Sequence, residues 1–516
     1  MCCFLREKKI MLEKIDLTHS LTKKEYKSEI DELETQLAVL QQRIKDLDIP
    51  VLIVFEGWSA SGKGTYISKI LYPLDPRYFN VFTLDKLNEN AEMRPFLWNY
   101  WTKTPAKGRI TIFDKSWHRV ALPERQEKSP ISNAALKGFY YDVNAFEHQL
   151  SADGTLIIKL FLHISKDEQK KRFNELMKNP DTKWRVDLHD IKQNKEYEKH
   201  LKYFENMIQQ SNFGFSEWNI IEANDKNYAT IKIYKVIISK IQEEINKRLT
   251  SGLDSLDGLE SSESKEKSAG AKITVDPPPV SILSSINPNK NMEQDEYKEQ
   301  LEYYQSKLSH LGYKLYTKRM AVVIAYEGWD AAGKGGNIRR LTQELDPRGY
   351  DVVPVAAPSK EELSHHYLWR FWEAMPKDGH FAIFDRSWYG RVMVERLEGF
   401  CSVDEWQRAY KEINDMELHL HNHGVIIIKF WIHIDKAEQL TRFEMREIDP
   451  LKQHKITAED WRNRDKWDEY QKAVDEMLFR TSTSYAPWTV VEGNNKKYAR
   501  IKTLKFAADT LEERLK

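Results

Sequence analysis

The sequence predicts an α/β protein: two tandem three-layer αβα domains, each built on a mostly parallel sheet. Two observations carry this expectation. Apolar runs of strand length alternate with longer, helix-patterned stretches, and that alternation favours crossover connections and parallel pairing. The same landmarks also occur twice in one order. "FEGWSASGKG" from Phe55 returns as "YEGWDAAGKG" from Tyr326, 271 residues later. "LDPR" at Leu74 returns at Leu345, "IFDKSWHRV" at Ile112 as "IFDRSWYGRV" at Ile383, and "NDKNYA" at Asn224 as "NNKKYA" at Asn494. A repeat this long is a domain and not one unit of a solenoid.

Each copy opens with a polar helix. In the first, Leu33, Leu37, Leu40 and Ile44 recur at helical spacing, which fits a helix packed on the domain body. In the second copy "MAVVIAYEG" is apolar throughout, as a strand buried on both faces must be. A Gly-rich loop follows, then a helix from "GKGGNIRRLTQEL". "YDVVPVAA" is the next strand, "YLWRFWEAM" a helix, "HFAIFDRSW" a strand ending in charge, and "VDEWQRAYKEINDMELHLHNHG" a long helix. "VIIIKFWIHID" and "WTVVEG" complete the strands, and "KKYARIKTLKFAADTLEERL" closes the domain as a helix. The polar stretch from Thr441 to Tyr485, inserted between two strands, has the character of a lid. The domains are expected over residues 20–249 and 292–516. Residues 250–291, rich in Ser, Gly and charge and carrying three consecutive prolines, are expected to form a linker.

Composition narrows the class. Hydrophobic residues make up 41% and charged residues 31%, a globular balance. Lys+Arg and Asp+Glu both number 79, so no overall basic field points to nucleic acid. No apolar run approaches the ~20 residues that span a bilayer, and the N-terminus makes a poor signal peptide. Cys2, Cys3 and Cys401 form neither a disulfide framework nor a zinc spacing, which fits a reducing, cytoplasmic compartment.

The chemistry is concentrated after strands. "GWDAAGKGG" lies between a strand and a helix, the context of a phosphate-binding loop. Gly328, Gly333, Gly335 and Gly336 permit tight turns whose N–H groups converge on an anion at a helix N-terminus, and Lys334 adds a point charge. Gly335 stands where such loops carry the Ser or Thr that holds magnesium. Asp330 inside the loop and Asp385 at the end of "FAIFD" are the alternative hard ligands for Mg²⁺, with Asp385 expected to be the closer anchor and Asp330 able instead to orient water or a basic side chain. Arg386 and Arg391 flank "SWYG", Arg442 and Arg446 lie four apart on one helix, and Arg462 and Arg464 lie in the lid. Arginine forks match phosphate oxygens, so this density suggests a polyanion. His419, His421 and His423 precede a strand, away from the loop, and read as structural.

Taken together, "EGWDAAGKGG", "LDPRGY", "YLWRFW", "FDRSWYGRV", "RFEMRE", "KWDEY" and "TSYAPWTVVEGNNKKYARI" resemble the polyphosphate kinase 2 family over the whole second copy and, more loosely, the first. The resemblance implies a P-loop kinase-like fold with a helical lid in each domain. It implies phosphoryl transfer between inorganic polyphosphate and a nucleotide with Mg²⁺. For a two-domain chain it implies AMP as acceptor and ADP as product; ADP as acceptor, or an ATP-dependent nucleotide kinase, are the alternatives. Asp330, Lys334, Asp385, Arg386, Arg391 and Arg446 would be catalytic, and Arg442, Arg462 and Arg464 would join the glycines in binding phosphate. The first copy departs from the pattern. Ser59 stands for Asp330, Lys115 for Arg386, His118-Arg119-Val120 for Tyr389-Gly390-Arg391, Leu176 for Arg446 and Asn194 for Arg464. It is expected to be a degenerate scaffold, with exposed sheet edges leaving a homo-oligomer open.

Overall fold

A computed structural model describes residues 11–83, 89–121, 132–257, 281–450, 453 and 456–516. Cys2, Cys3 and the rest of residues 1–10, and residues 258–280 of the expected linker, lie outside the described residues. The chain forms two compact units. The first takes in residues 1–87, 103–270 and 364–366, and the second 88–102, 271–363 and 367–516. Each unit therefore includes a short piece of the other half.

The linker is shorter at both ends than composition suggests. Residues 250–257 continue the long helix Lys226–Asp257. Residues 281–291 belong to the second unit: Leu283 is buried, and its N–H donates to Asp475 Oδ1 at 2.9 Å.

The first unit holds β1 (Val51–Gly57), β2 (Phe79–Thr83), β3 (Ile110–Asp114), β4 (Leu156–His163) and β5 (Trp218–Glu222). They pair in parallel in the order β2-β3-β1-β4-β5. The second unit holds β6 (Val322–Gly328), β7 (Tyr350–Pro354), β8 (Phe381–Asp385), β9 (Ile426–His433) and β10 (Trp488–Glu492), parallel and in the same relative order, β7-β8-β6-β9-β10. The central strands are buried because helices cover both faces of the sheet. Val322 to Tyr326 and all of β9 are sealed, whereas the edge strand β7 exposes Asp351 and Val352.

Local chemistry sets the helix ends. Ser402 and Glu405 form a reciprocal capping box at the start of the helix Val403–His423, and Gly424 ends it in the left-handed region. Asp435 caps the helix Lys436–Ile448, and Asn495 caps Lys496–Leu515. The expected lid consists of the end of Lys436–Ile448, then Ala458–Asp465 and Trp467–Thr481. Chain order reverses across β6, with β8 on one side and β9 on the other. A crevice at the carboxyl ends of these strands is where ligands of such sheets bind.

Candidate active site

The crevice begins with backbone geometry. Gly328 ends β6 at φ +151°, and a Cβ there would lie 2.5 Å from Ile432 O, so only glycine lets β6 and β9 stay paired at that point. Gly333 turns through φ +107° and starts the helix Lys334–Thr342, leaving that helix's first N–H groups facing the crevice. Arg386 holds a left-handed φ of +66° directly after Asp385, with its N–H donating to Tyr326 O at 3.1 Å. Lys115 takes the same conformation at φ +70°, so the bend belongs to both repeats.

A cavity of about 590 Å³ collects Asp330, Gly333, Lys334, Gly335, Gly336, Asp385, Arg386 and Arg446, as expected from the sequence, with Glu459, Asp460 and Asn463 from the lid. Lys334 donates to Gly328 O at 2.7 Å and to Trp329 O at 3.3 Å, so its ammonium lies across the loop. Gly335 has no hydroxyl, but a Cβ at that position would sit 4.0 Å from Asp385 Oδ2. Asp385 thus stands next to the place where a loop Ser or Thr would reach. Asp330 is clasped on both oxygens: Arg386 Nη2 donates to Oδ1 at 3.1 Å and Asn463 Nδ2 to Oδ2 at 3.0 Å.

Four of the expected arginines are placed otherwise. Arg442 uses all five N–H groups on protein acceptors: Glu438, the carbonyls of Ala331 and Ala332, and the carbonyls of Gly493 and Asn494, at 2.6–3.0 Å. It has no donor left for phosphate and instead buckles the loop to the strand end after β10. Arg464 donates to Lys436 O at 2.6 Å and to Gln439 Oε1 at 3.2 Å, tying lid to helix. Arg391 pairs with Glu395 at 3.1 Å and lies over the Tyr367 ring at 4.4 Å, drawn aside by carboxylate and π-face. Arg462 lies 3.8 Å from Glu398 with its side chain 56% exposed. The histidines do read as structural: His419 is buried near Trp372, and His423 meets Asp378 at 3.2 Å.

Four contributors escaped the sequence. Glu327 is buried beneath the loop and accepts from Ser387 Oγ at 2.7 Å; burial pushes its carboxyl up to about 7 despite the pull of Lys334. It lines a smaller cavity of about 80 Å³ with Gly390, Met393 and Tyr470. Its only sequence signal is an acidic residue at the end of an otherwise apolar strand. Asn463 gives no signal, because nothing distinguishes it within "WRNRD". Lys496 and Arg500, on the last helix, line a further cavity of about 280 Å³ with Arg446, sharing the loop residues Ala331 to Gly333.

The first unit keeps the frame and changes the chemistry. Lys63 donates to Gly57 O and Trp58 O, and burial, then Arg119, lower its pKa to about 8. Arg119, where the second unit has Gly390, pairs with Glu56 at 3.2 Å. The loop carboxylate is absent, and Ser59 N–H donates to Gln193 Oε1 at 3.0 Å.

The family model Polyphosphate kinase 2 matches residues 20–249 and 291–516. The chain belongs to the polyphosphate kinase 2 family. A polyphosphate:AMP phosphotransferase from Pseudomonas aeruginosa is 38% identical over 503 residues, 97% of this chain and 99% of that protein. One from Acinetobacter johnsonii is 34% identical over 92% of this chain and 94% of its own length. The crystal structure of a polyphosphate kinase 2 from Pseudomonas aeruginosa superposes with a TM-score of 0.83 at 36% identity, covering 98% of this chain and 99% of that one. This polyphosphate kinase 2 family member thus carries the family's domain twice. Among its described residues no helix is long and apolar enough to cross a membrane.

Proposed function

We propose that this family member moves a phosphoryl group from inorganic polyphosphate to AMP, giving ADP, in the second unit. The observation that carries the reading is the single cavity that joins loop amides, Lys334, Arg386 and Arg446 to the carboxylates of Asp330 and Asp385. Full-length relatives named for this reaction support the choice of acceptor. ADP as acceptor, yielding ATP, is the second reading. A cytoplasmic setting suits soluble nucleotide and polyphosphate substrates.

The charge balance bears on the metal. Asp330, Asp385, Glu459 and Asp460 line the cavity against Lys334, Arg386 and Arg446. A polyanion entering beside four carboxylates and three cations needs further positive charge. The carboxylate donor set suits Mg²⁺, a hard cation usually held by one or two carboxylates plus phosphate oxygens. Asp385 would be its main anchor and Asp330 a second. When bound, Mg²⁺ would neutralise charge on the transferring group.

The chain's own groups supply the rest. Loop N–H groups and Lys334 hold the donor's terminal phosphates. Arg386 and Arg446 bring charge to the transferring group from two other elements. An AMP phosphate oxygen, already anionic, attacks the terminal phosphorus. The bond to the bridging oxygen breaks, and the polyphosphate leaves one unit shorter. No general base is required, only alignment.

Incubating the protein with Mg²⁺, long-chain polyphosphate and either AMP or ADP tests this. ADP formed from AMP, lost in Asp385→Asn, is the expected result. ATP formed from ADP alone would replace AMP by ADP as the acceptor, and no transfer to either would overturn the reading.

A further inference from the structure

We propose that Asn463 is a positioning residue for Asp330, tying the lid to the loop carboxylate that faces the substrate phosphates; this rests on the second unit's site being the reacting one. Three side chains donate to Asp330. Its backbone carbonyl accepts from Gln439 Nε2 at 3.1 Å, its Oδ1 from Arg386 and its Oδ2 from Asn463. Three elements converge: the helix Lys436–Ile448, the bend after β8 and the lid helix Ala458–Asp465. Only the last belongs to the part of the lid that overlies the loop.

The amide is itself oriented. Tyr470 Oη donates to Asn463 Oδ1 at 3.0 Å, which leaves the Nδ2 end to donate to Asp330. Tyr470 is buried, three residues after Trp467, which stacks on Trp329 at 3.8 Å and 9°. The relay from the packed lid helix through Tyr470 and Asn463 to Asp330 therefore stands on a rigid base. A carboxylate has four lone-pair positions, and Arg386 and Asn463 occupy one on each oxygen. Two positions stay available to the cavity, held at a fixed angle. A carboxylate anchored in this way loses little rotamer freedom when it meets a cation.

The first unit supplies the internal comparison. Ser59 replaces the carboxylate and Gln193 takes the place of Asn463. There the lid side chain accepts, from Ser59 N–H, where Asn463 donates. The Gln169 contact to Ser59 O is kept at 3.1 Å. The lid residue at this position thus contacts the loop in both units, and where the loop carries a carboxylate it donates to it.

Asn463→Leu keeps the size and removes the donor; Tyr470→Phe keeps the ring and frees the amide to flip. Mn²⁺ binding to the full chain, read by electron paramagnetic resonance without nucleotide, is the primary measurement. The Mg²⁺ dependence of turnover is the second. Asn463→Leu is expected to weaken Mn²⁺ binding and to raise the half-saturating Mg²⁺ by about 10-fold, a usual effect of losing a partner of a ligating carboxylate. Tyr470→Phe should move both in the same direction by less, and KM for polyphosphate should hold in both variants. Unchanged Mn²⁺ affinity in a folded Asn463→Leu protein overturns the proposal, as does a wild type that binds no Mn²⁺. If Asn463→Leu does not fold, Tyr470→Phe decides by the same readouts. Failure of the wild type to use polyphosphate would remove the functional reading, while the Mn²⁺ comparison would still decide the role of Asn463.

Discussion

Glu327 shows how one buried side chain links the site to the stability of its unit. Burial raises its carboxyl to about 7 from an ordinary 4.5, against the opposing pull of Lys334. Between these values the native state keeps a proton that the unfolded chain has released. The resulting stabilisation is complete below about pH 4.5 and is lost as pH rises through about 7. Glu327→Gln fixes the neutral form and still accepts from Ser387. Denaturant midpoints of the metal-free protein at about pH 5 and about pH 8 should therefore fall more for the wild type than for the variant. Parallel pH profiles would mean that Lys334 and Arg386 hold Glu327 charged throughout. The sequence did not reveal this residue because an acidic side chain at a strand end usually faces solvent. Only the tertiary structure puts it under the loop.

At the scale of elements, the helix Lys436–Ile448 and the lid separate holding from binding. Arg442 and Arg446 share a helix face, and the sequence gives both the same appearance. What it lacks is the position of the carbonyls that Arg442 meets, which come from the loop and from beyond β10. Arg442→Lys removes most of this fork and leaves buried carbonyls unpaired, at a cost of roughly 3 kcal/mol. Its melting temperature and turnover should fall together. Arg446→Ala should lower turnover and leave the melting point near wild type. If Arg442→Lys were inactive but fully stable, Arg442 would be a phosphate ligand after all. The lid offers a milder test. Tyr197 stacks on Trp58 at 4.0 Å in the first unit as Trp467 does on Trp329 in the second. Trp467→Tyr should thus cost less than about 1.5 kcal/mol, and Trp467→Ala about 3–5 kcal/mol, by thermal unfolding.

Over the whole molecule, the duplication made the fold legible, since strands and helices could be read twice from independent stretches. The parallel sheets, the loop that carries Asp330 and Lys334 and the strand end that carries Asp385 follow from that pattern, whereas the strand order does not. What the first repeat had lost was harder to read. Asn194 looked like a lost arginine, yet it donates to Lys166 O at 2.9 Å and to Gln169 Oε1 at 3.0 Å, matching the contacts of Arg464 to Lys436 and Gln439. His118 likewise takes the place of Tyr389 in a buried network, meeting Glu147 at 3.0 Å where Tyr389 meets Glu417 at 2.6 Å. Those changes preserve the frame. The changes at Ser59 and Leu176 remove charge from the proposed phosphate site, Lys115 replaces a guanidinium fork with a single ammonium, and Arg119 directs a cation onto Glu56. The frame is therefore maintained in both units, and the second keeps the full set of charges assigned to the proposed reaction. Lys63→Met and Lys334→Met make this measurable, because each removes one ammonium and keeps its volume. Lys334→Met should cut polyphosphate-dependent turnover by about 100-fold or more, the usual consequence of removing a charge aimed at the transferring group. Lys63→Met should leave turnover near wild type, with unfolding measured alongside to confirm an intact first unit. Equal losses from the two variants would mean that the first unit's loop takes part in the reaction in spite of its missing carboxylate.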